Sequence, residues 1–374
     1  MSQTQESSLK KASTHLGRIL LILTIIGATA FWISYFYTPI EIKEGDYSIQ
    51  AAEYPEINTI ELEYLANFAS VDIRYDAPES ILFNASWMYI YSPRENVTPI
   101  DLNFSATQSP TPNVLRIAVE DTSETFPEMG NMWKMSFFFV EIHLNPMYQA
   151  ILDIRSETAS FSILAEDVNF SAFDIALTTG SINVDFGNVT LPSLMSISST
   201  TGSVHMRSSY SLLGDVSIIQ TTGSLDGTIR EGRMGRLTAT GTTGTTDFVL
   251  ENLSASAISL ERTTGSIELE MNLVDFEDLS NVSIDLLTST GSINLNIVDL
   301  ACDHPVLVTA EASTGSIDVK WMAHYHLLNN MTIDLTTGTG SIDVDIKTIE
   351  SNFDKFLVIY SIGTGEPDIE FEEL

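Results

Sequence analysis

The sequence predicts an all-β protein whose larger part is a parallel β-solenoid of about ten coils, preceded by a β-strand cap region and one transmembrane helix. Three observations predict the solenoid: a Thr-Gly phrase recurs, apolar residues alternate on both sides of it, and the alternation changes phase at the glycine. Successive glycines are 21 to 26 residues apart, a period typical of solenoids. The nine glycines are Gly180, Gly202, Gly223, Gly244, Gly265, Gly291, Gly315, Gly340 and Gly365.

The alternation on each side of the glycine predicts two short strands per coil. Apolar residues stand seven and five positions before it, as at Phe173 and Ile175, and two, four and six positions after it, as at Ile182, Val184 and Phe186. A period of two indicates half-buried strands rather than helix. The phase change predicts a corner, which glycine suits because it accepts a positive φ.

Each coil is therefore expected to be a strand, a Thr-Gly corner, a second strand and a connecting arc. Successive coils restart in the same direction, so their strands must pair in parallel. One further coil precedes the nine, with Ala159 in place of the glycine, and the solenoid is expected to span residues 151–374. At its far edge, Pro367 and the carboxylates of Glu370, Glu372 and Glu373 are expected to discourage another strand from pairing.

The threonine before each glycine predicts a column of hydroxyls along one corner. We expect each hydroxyl to bond corner backbone or its neighbour in the next coil. The alternative is a ligand surface such as an ice-binding threonine plane. We expect two adjacent threonines not to face outward together, which disfavours that alternative.

The N-terminal part predicts a membrane anchor. A polar tail, residues 1–18, precedes the uncharged run Ile19–Tyr37, whose nineteen residues would span about 28 Å as a helix. Lys10, Lys11 and Arg18 precede the run, so the positive-inside rule places the N-terminus in the cytoplasm and the body outside. The alternative is a cleaved signal peptide, with residues 28–30 as the small-residue cleavage motif.

Two further segments separate the anchor from the solenoid. Residues 38–55 are expected to form a short acidic stem, and residues 56–150 a cap region of β-strands. In the cap, runs such as Phe83, Ala85 and Trp87, and the pair Phe137 and Phe139, predict inward-facing positions.

Composition restricts the partners. The formal charge is −33 with 17 basic residues, which excludes nucleic acid and broad binding to anionic headgroups. Cys302 is the only cysteine, so no intrachain disulfide can form.

Two sets of side chains are candidate metal ligands. The third position after six of the nine glycines is acidic and is expected on the outward face. Calcium binding along this row is a hypothesis, and a solvated acidic face is the alternative. The candidate calcium ligands in this row are Asp226, Asp247, Glu268, Asp318 and Asp343. Cys302, His304, His324 and His326 could meet in neighbouring arcs as a zinc site, or form ordinary turns.

Eight Asn-x-Ser/Thr sequons are candidate glycosylation sites, and those within the solenoid are expected in the arcs. They are Asn84, Asn96, Asn103, Asn169, Asn188, Asn252, Asn281 and Asn330.

The sequence presents no nucleophile–base pair or paired-carboxylate arrangement, and we expect no enzymatic activity and no cofactor. The basic residues near the coil strands are scattered. They are Arg207, Arg230, Arg233, Arg236, Arg262, Lys320 and Lys347.

The passage Phe137–Ile154, followed by repeats of the form apolar-x-apolar-x-Thr-x-Gly-Ser-Ile-x-Val, resembles the bacterial and archaeal "putative adhesin" domains of unknown function, relatives of autotransporter-adhesin head domains. The resemblance covers about residues 55–371 and carries no catalytic residues to transfer. It implies a surface binding or adhesion module for an unknown glycan or protein ligand. The alternatives are a structural or sensory cell-envelope protein and, less favoured, a polysaccharide-active enzyme.

Overall fold

The computed structural model describes residues 41–67, 69–91, 102–121, 137–276, 282–302, 304–325, 327 and 329–374. The chain divides into two compact units, and the larger one comprises Glu44–Met88, Ile100–Ser123 and Phe138–Leu374. The smaller comprises Met1–Lys43, Tyr89–Pro99 and Glu124–Phe137, of which residues 41–43, 89–91 and 137 are described.

Three sheets are formed by the described residues. A 14-stranded sheet has the order β1-β4-β7-β3-β9-β11-β14-β17-β20-β23-β26-β29-β31-β33. Its strands are β1 Glu41–Gln50, β3 Ser70–Arg74, β4 Ile81–Tyr91, β7 Phe137–Leu144, β9 Ser160–Glu166, β11 Ile182–Gly187, β14 Val204–Ser209, β17 Leu225–Arg230, β20 Thr246–Glu251, β23 Ile267–Asn272, β26 Ile293–Val298, β29 Ile317–Ala323, β31 Ile342–Thr348 and β33 Pro367–Glu373.

The second sheet has 13 strands in the order β32-β30-β28-β25-β22-β19-β16-β13-β10-β8-β2-β6-β5. They are β2 Thr59–Tyr64, β5 Leu102–Gln108, β6 Val114–Asp121, β8 Gln149–Thr158, β10 Phe170–Thr179, β13 Met195–Thr201, β16 Val216–Thr222, β19 Arg236–Thr243, β22 Ala257–Thr264, β25 Val282–Thr290, β28 Val306–Thr314, β30 Met331–Thr339 and β32 Phe356–Thr364.

The third sheet consists of two-residue strands in the connecting arcs, β12 Thr190–Leu191, β15 Leu212–Leu213, β18 Arg233–Met234, β21 Ser254–Ala255, β24 Asp275–Phe276 and β27 Ala301–Cys302. Helical structure is limited to the 3-10 helices Ala51–Glu53 and Glu350–Lys355 within the described residues.

The predicted parallel solenoid is confirmed. Equivalent residues of successive turns pair directly, as Ile175 does with Ile197 and Ile197 with Ile218. Nine turns have the glycine corner, and the turn around Ala159 precedes them. The alternating positions face the core as predicted, since Ile182, Val184 and Phe186 are all buried. Burial of such rows from both large sheets supplies the main stabilising term.

The glycine corner has the predicted backbone geometry. All nine glycines have φ between +125° and +151°, a region that side chains rarely adopt. The Gly265 N–H donates to the Thr290 carbonyl of the next turn at 2.8 Å. A Cβ on Gly265 would overlap the carbonyl oxygen of Gly244 in the preceding turn, so the close stacking of corners also requires the missing side chain.

A second corner divides the connecting arc in each of the earlier turns. The sequence predicted a simple connection there. Eight positions after the corner residue, one residue per turn has φ between 49° and 58°. Its N–H donates to the next turn, as from Asn252 to Asn272 at 2.8 Å. These residues are Asp167, Asn188, Tyr210, Glu231, Asn252, Leu273 and Asp299. This bend directs the chain into the third sheet.

The N-terminal strands belong to the same sheets as the solenoid. β2 pairs in parallel with β8, and β3 with β9, so residues assigned to the cap region continue the stack. β5 pairs antiparallel with β6 at the edge of the second sheet. Strand β1 lies in the segment expected to be a stem.

The expected inward orientation of Phe139 is wrong. Phe138, Val140 and Ile142 are buried, whereas Phe139 is 45% exposed on the opposite face. Three consecutive phenylalanines do not show which face of this strand is buried. The pairing of β7 with β3 decides the face, because Val140 lies beside the buried Val71.

Within the described ranges, no helix is long and apolar enough to cross a membrane. The predicted anchor, Ile19–Tyr37, lies outside them. At the other end, β33 is the edge strand of its sheet, and Pro367 pairs with Ile342 as its first residue.

Candidate ligand-binding groove

A groove of about 850 Å³ lies on the outer face of strands β1, β4, β7 and β3, which are neighbours at the start of the 14-stranded sheet. Its lining consists of residues on these four strands. They are Glu44, Gly45, Asp46, Ser70, Asp72, Arg74, Ser86, Trp87, Met88, Phe139, Val140 and Glu141. The volume falls in the range of small-ligand sites, which is about 300–1,000 Å³.

Strand alternation selects the side chains that face the groove. On β3, Val71 and Ile73 are buried, so Asp72 and Arg74 project from the other face. The parallel register places Asp72 directly beside Glu141 of β7. Two carboxylates from separate strands therefore meet on this wall of the groove.

A glycine in β1 makes room for Trp87. A Cβ on Gly45 would overlap the indole ring, so the ring packs directly on the backbone of β1. The indole also meets Phe138 edge to face, with ring centroids 6.5 Å apart. Trp87 therefore lies on the inner face of the sheet beside the buried Phe138, where it supports the strands beneath the groove rather than forming its floor.

Arg74 connects the two carboxylates. Its Nη2 lies 2.6 Å from Asp72 Oδ2, and its Nη1 lies 3.8 Å from Glu141 Oε1. The hydrogen bond to Asp72, followed by the charge of that carboxylate, raises the pKa of the guanidinium. His143 extends the network outside the lining, with Nδ1 2.6 Å from Asp76 and Nε2 3.3 Å from Glu141.

The groove carries an excess of negative charge. Four of its lining side chains are carboxylates, Glu44, Asp46, Asp72 and Glu141, and one is the guanidinium of Arg74, so the formal charge is −3. Sequence reasoning missed this site because its residues come from four strands whose order the sequence does not state.

The predicted acidic residues form a row along the sheet, but their carboxylates do not converge on one site. Asp226 pairs with Asp247, Asp247 with Glu268, and Asp318 with Asp343, with one member per turn. No group of three or more His, Cys, Asp or Glu side chains that could hold a metal ion is found in the described part of the chain. Calcium binding along this face stays a prediction.

Replacing Asp247 with asparagine is expected to stabilise the protein at neutral pH. Burial first, and then the charges of Glu268 and Asp226, raise the pKa of the Asp247 carboxyl. The folded state therefore holds this proton more tightly than the unfolded chain does, and stability falls as pH rises through the window above the unfolded value of about 3.9. At pH 7 the gain should be up to about 0.5 kcal/mol, because partly exposed charges contribute little.

The measurement for this prediction is the melting temperature of wild type and Asp247→Asn at neutral and acidic pH. The difference should vanish below about pH 3.5, where the carboxyl is protonated in both states. Asp334→Asn, whose lateral neighbours are Thr309 and Ile359, is the control and should show no such gain. A stabilisation of Asp247→Asn that is independent of pH would contradict the electrostatic explanation.

The proposed cysteine and histidine set is only partly described. His324 Nδ1 lies 2.9 Å from Asp299 Oδ2, and the His324 N–H donates to Asp299 Oδ1 at 2.8 Å. His326 and the side chain of Cys302 lie outside the described residues. The zinc hypothesis therefore stays untested.

The expectation that adjacent threonines cannot both face outward is wrong. Thr200 and Thr201 are both exposed, and the same holds for the corresponding pairs in the neighbouring turns. The strand ends at the corner, so alternation no longer applies there. The predicted column itself is confirmed, since Thr179 pairs with Thr201 and Thr201 with Thr222.

Six of the eight sequon asparagines are described. Asn169, Asn188, Asn252 and Asn330 are exposed and lie in the arcs, as expected, with Asn188 and Asn252 at the second corner. Asn84 and Asn103 lie within β4 and β5, while Asn96 and Asn281 fall outside the described residues. Glycosylation at these positions stays a prediction.

No family model and no curated protein matches the sequence. Three solved structures are similar to it. A "putative cell adhesion protein" from Clostridium sporogenes ATCC 15579 is 11% identical with a TM-score of 0.26, over 63% of this chain and 99% of that one. A "putative adhesin" from Parabacteroides distasonis ATCC 8503 is 9% identical with a TM-score of 0.25, over 89% and 97%.

The third structure, a "putative adhesin" from Parabacteroides merdae ATCC 43184, is 10% identical with a TM-score of 0.21, over 89% and 96%. All three structures are described as adhesins or as a cell adhesion protein, which agrees with the family resemblance of the sequence. None of the three descriptions mentions an autotransporter head domain.

Proposed function

We propose that this chain is a membrane-anchored, extracytoplasmic binding module of the adhesin type, which holds its ligand in the groove on β1, β4, β7 and β3. The observation that carries the proposal is the groove itself. It combines apolar side chains at Met88 and at the exposed Phe139 with charged walls, a mixture typical of ligand sites.

The location follows from the N-terminal sequence. The uncharged run Ile19–Tyr37 would anchor the chain in the membrane, with the basic tail in the cytoplasm and the β body outside. The high negative charge of the body suits an exposed surface that stays soluble outside the membrane.

Binding, rather than catalysis, is the role proposed for the groove. Its lining includes Ser70 and Ser86 but neither histidine nor cysteine, so it contains no serine–histidine or cysteine–histidine pair for nucleophilic catalysis. The neighbouring carboxylates Asp72 and Glu141 are engaged by Arg74. Such a bridge suits positioning of a ligand better than proton transfer.

A sensory or structural role in the cell envelope is the second candidate. Strand β1, which forms one wall of the groove, begins at Glu41, four residues after the end of the predicted anchor at Tyr37. Ligand binding that close in sequence to the anchor could be transmitted to it, whereas adhesion alone does not require this closeness.

The test is binding of the full chain, reconstituted in nanodiscs, to a glycan array and to whole cells. Phe139→Ser should reduce binding at least tenfold, because it removes the exposed ring from the groove while leaving the core intact. Ile219→Ser is the matched control, since Ile219 is 55% exposed on the outer face of the second sheet. Equal binding by wild type and Phe139→Ser would show that the groove is not the ligand site.

A further inference from the structure

We propose that the ligand of this groove is an amphipathic cation, a methylene chain that ends in an ammonium or guanidinium group, as a lysine-rich peptide or a free polyamine provides. The inference rests on the proposed function and names the class of ligand for the same site. It follows from the apolar floor, from the positions of the carboxylates, and from which carboxylates already have partners.

The two walls of the groove differ in their ion pairing. On β3 and β7, Asp72 and Glu141 share Arg74. On β1, Glu44 and Asp46 project into the groove two residues apart and form no ion pair or hydrogen bond with any residue that the structure describes. The unneutralised charge is therefore concentrated on the β1 wall.

The floor between the walls is apolar. Met88 of β4 and Phe139 of β7 line it. Strands are about 4.8 Å apart, so the four strands place the walls roughly 14 Å from each other. A flexible methylene chain can lie on this floor with its charged end at Glu44 and Asp46, as lysine side chains do on apolar surfaces.

Other ligand classes fit less well. An anionic ligand would meet a formal charge of −3. A neutral glycan would displace water from Glu44 and Asp46 without supplying a positive charge, and a desolvated carboxylate without a partner costs about 1–3 kcal/mol or more. A cation instead gains from both carboxylates and from the exposed ring of Phe139, which attracts cations through its face.

The experiment measures binding by calorimetry with the full chain in nanodiscs of neutral lipid. The probes are an eight-residue Lys-Ser peptide, the same peptide with every lysine acetylated, and spermine. Wild type should bind the lysine peptide and should bind the acetylated peptide at least tenfold more weakly. Equal binding of both peptides would overturn the inference, because acetylation removes only the charge.

A matched pair of double variants separates the groove from the general acidity of the chain. Glu44→Gln with Asp46→Asn should weaken binding of the lysine peptide at least tenfold. Asp318→Asn with Asp343→Asn makes the same change of charge elsewhere on the same sheet and should change it less than threefold. Equal losses in the two double variants would show unspecific attraction and overturn the inference.

The same probes show whether the cation comes from a free polyamine or from a basic protein segment. Together with Phe139→Ser, they also separate failure of this inference from failure of the proposed function. Spermine binding as tight as the peptide indicates a free polyamine, whereas binding of the peptide alone indicates a basic protein segment, and either result supports the inference. If Phe139→Ser abolishes cell binding but no cationic probe binds, the inference is wrong and the proposed function stands. If Phe139→Ser leaves both cell binding and binding of the cationic probes unchanged, the proposed function fails as well.

Discussion

Replacing Gly265 with alanine is expected to destabilise the protein by about 3–5 kcal/mol. Its φ of +131° lies in a region where a side chain costs about 1–3 kcal/mol. In addition, the new Cβ would overlap the carbonyl oxygen of Gly244, and neither backbone can move away without disturbing a hydrogen-bonded stack. The Gly244 N–H bond to the Thr264 carbonyl, at 3.0 Å, joins the two turns that the clash would push apart and should weaken.

The control for this prediction is Gly187→Ala at the end of strand β11. Gly187 ends β11 without a positive φ, and the nearest neighbour of an added Cβ would be Glu166 Cγ at 3.5 Å, an ordinary contact. Thermal unfolding followed by circular dichroism should show a large loss for Gly265→Ala and almost none for Gly187→Ala. Similar melting temperatures for both variants would contradict the corner mechanism.

Hydrogen exchange can show how the damage at Gly265 spreads. In a solenoid each turn contacts only its neighbours, so stability is approximately a sum of turn and interface contributions. Exchange should therefore accelerate most in β22, β23 and the adjoining turns, with a smaller change near β10. Uniform acceleration along the whole chain would instead indicate a single cooperative unit.

The second large effect is expected at Arg262, whose replacement by alanine should cost about 3–5 kcal/mol. The side chain is 1% exposed inside the coil, and burial lowers the pKa of its guanidinium. Its donors bind Thr246 Oγ1 at 2.5 Å, Gln220 Oε1 at 3.0 Å and the Thr245 carbonyl at 2.8 Å. Truncation would leave a cavity and these acceptors without a donor.

Arg262→Met separates the two contributions. Methionine keeps most of the volume and removes the buried charge, but it leaves the three acceptors unpaired, so a loss of about 1–3 kcal/mol is expected. Denaturant unfolding of Ala and Met variants gives the comparison. Equal losses for both would show that volume has no part in the effect.

A glycine in the adjacent turn makes room for this arginine. A Cβ on Gly241 would overlap Nη1 of Arg262, and it would also lie close to the Gln220 carbonyl oxygen, at 2.8 Å. Gly241→Ala should therefore be destabilising alone and less so, by at least about 1 kcal/mol, when combined with Arg262→Ala. Additive losses in this double-mutant cycle would contradict the direct coupling of the two positions.

Position −3 from the glycine is one place where polar residues enter the core. Its side chain faces inward next to the corner, where it can donate to the carbonyl of the preceding turn's glycine. Gln220 Nε2 reaches Gly202 O at 2.7 Å, Thr288 Oγ1 reaches Gly265 O at 3.1 Å, and Thr337 Oγ1 reaches Gly315 O at 3.0 Å. Buried polar groups need such partners. Arg262, grouped by sequence among scattered basic residues, proves to be a core residue at this position.

The sequence alone determined the repeat, the strands of each turn, the glycine corner and the parallel direction. These features are local or periodic: a period of two defines a strand, and a positive φ demands glycine, without knowledge of any distant residue. The outward acidic row and the threonine column follow from the same periodicity, because identical offsets in successive turns must stack.

Only the tertiary structure decided the second corner, the outward face of Phe139, the burial of Arg262 and the groove. A left-handed conformation at Leu273 or Tyr210 is imposed by stacking, since neither residue type favours it. The groove exists because β1, β4, β7 and β3 become neighbours although they are far apart along the chain. Strand order and register are settled by which faces can be buried together, and that is a property of the packed sheet rather than of any one segment.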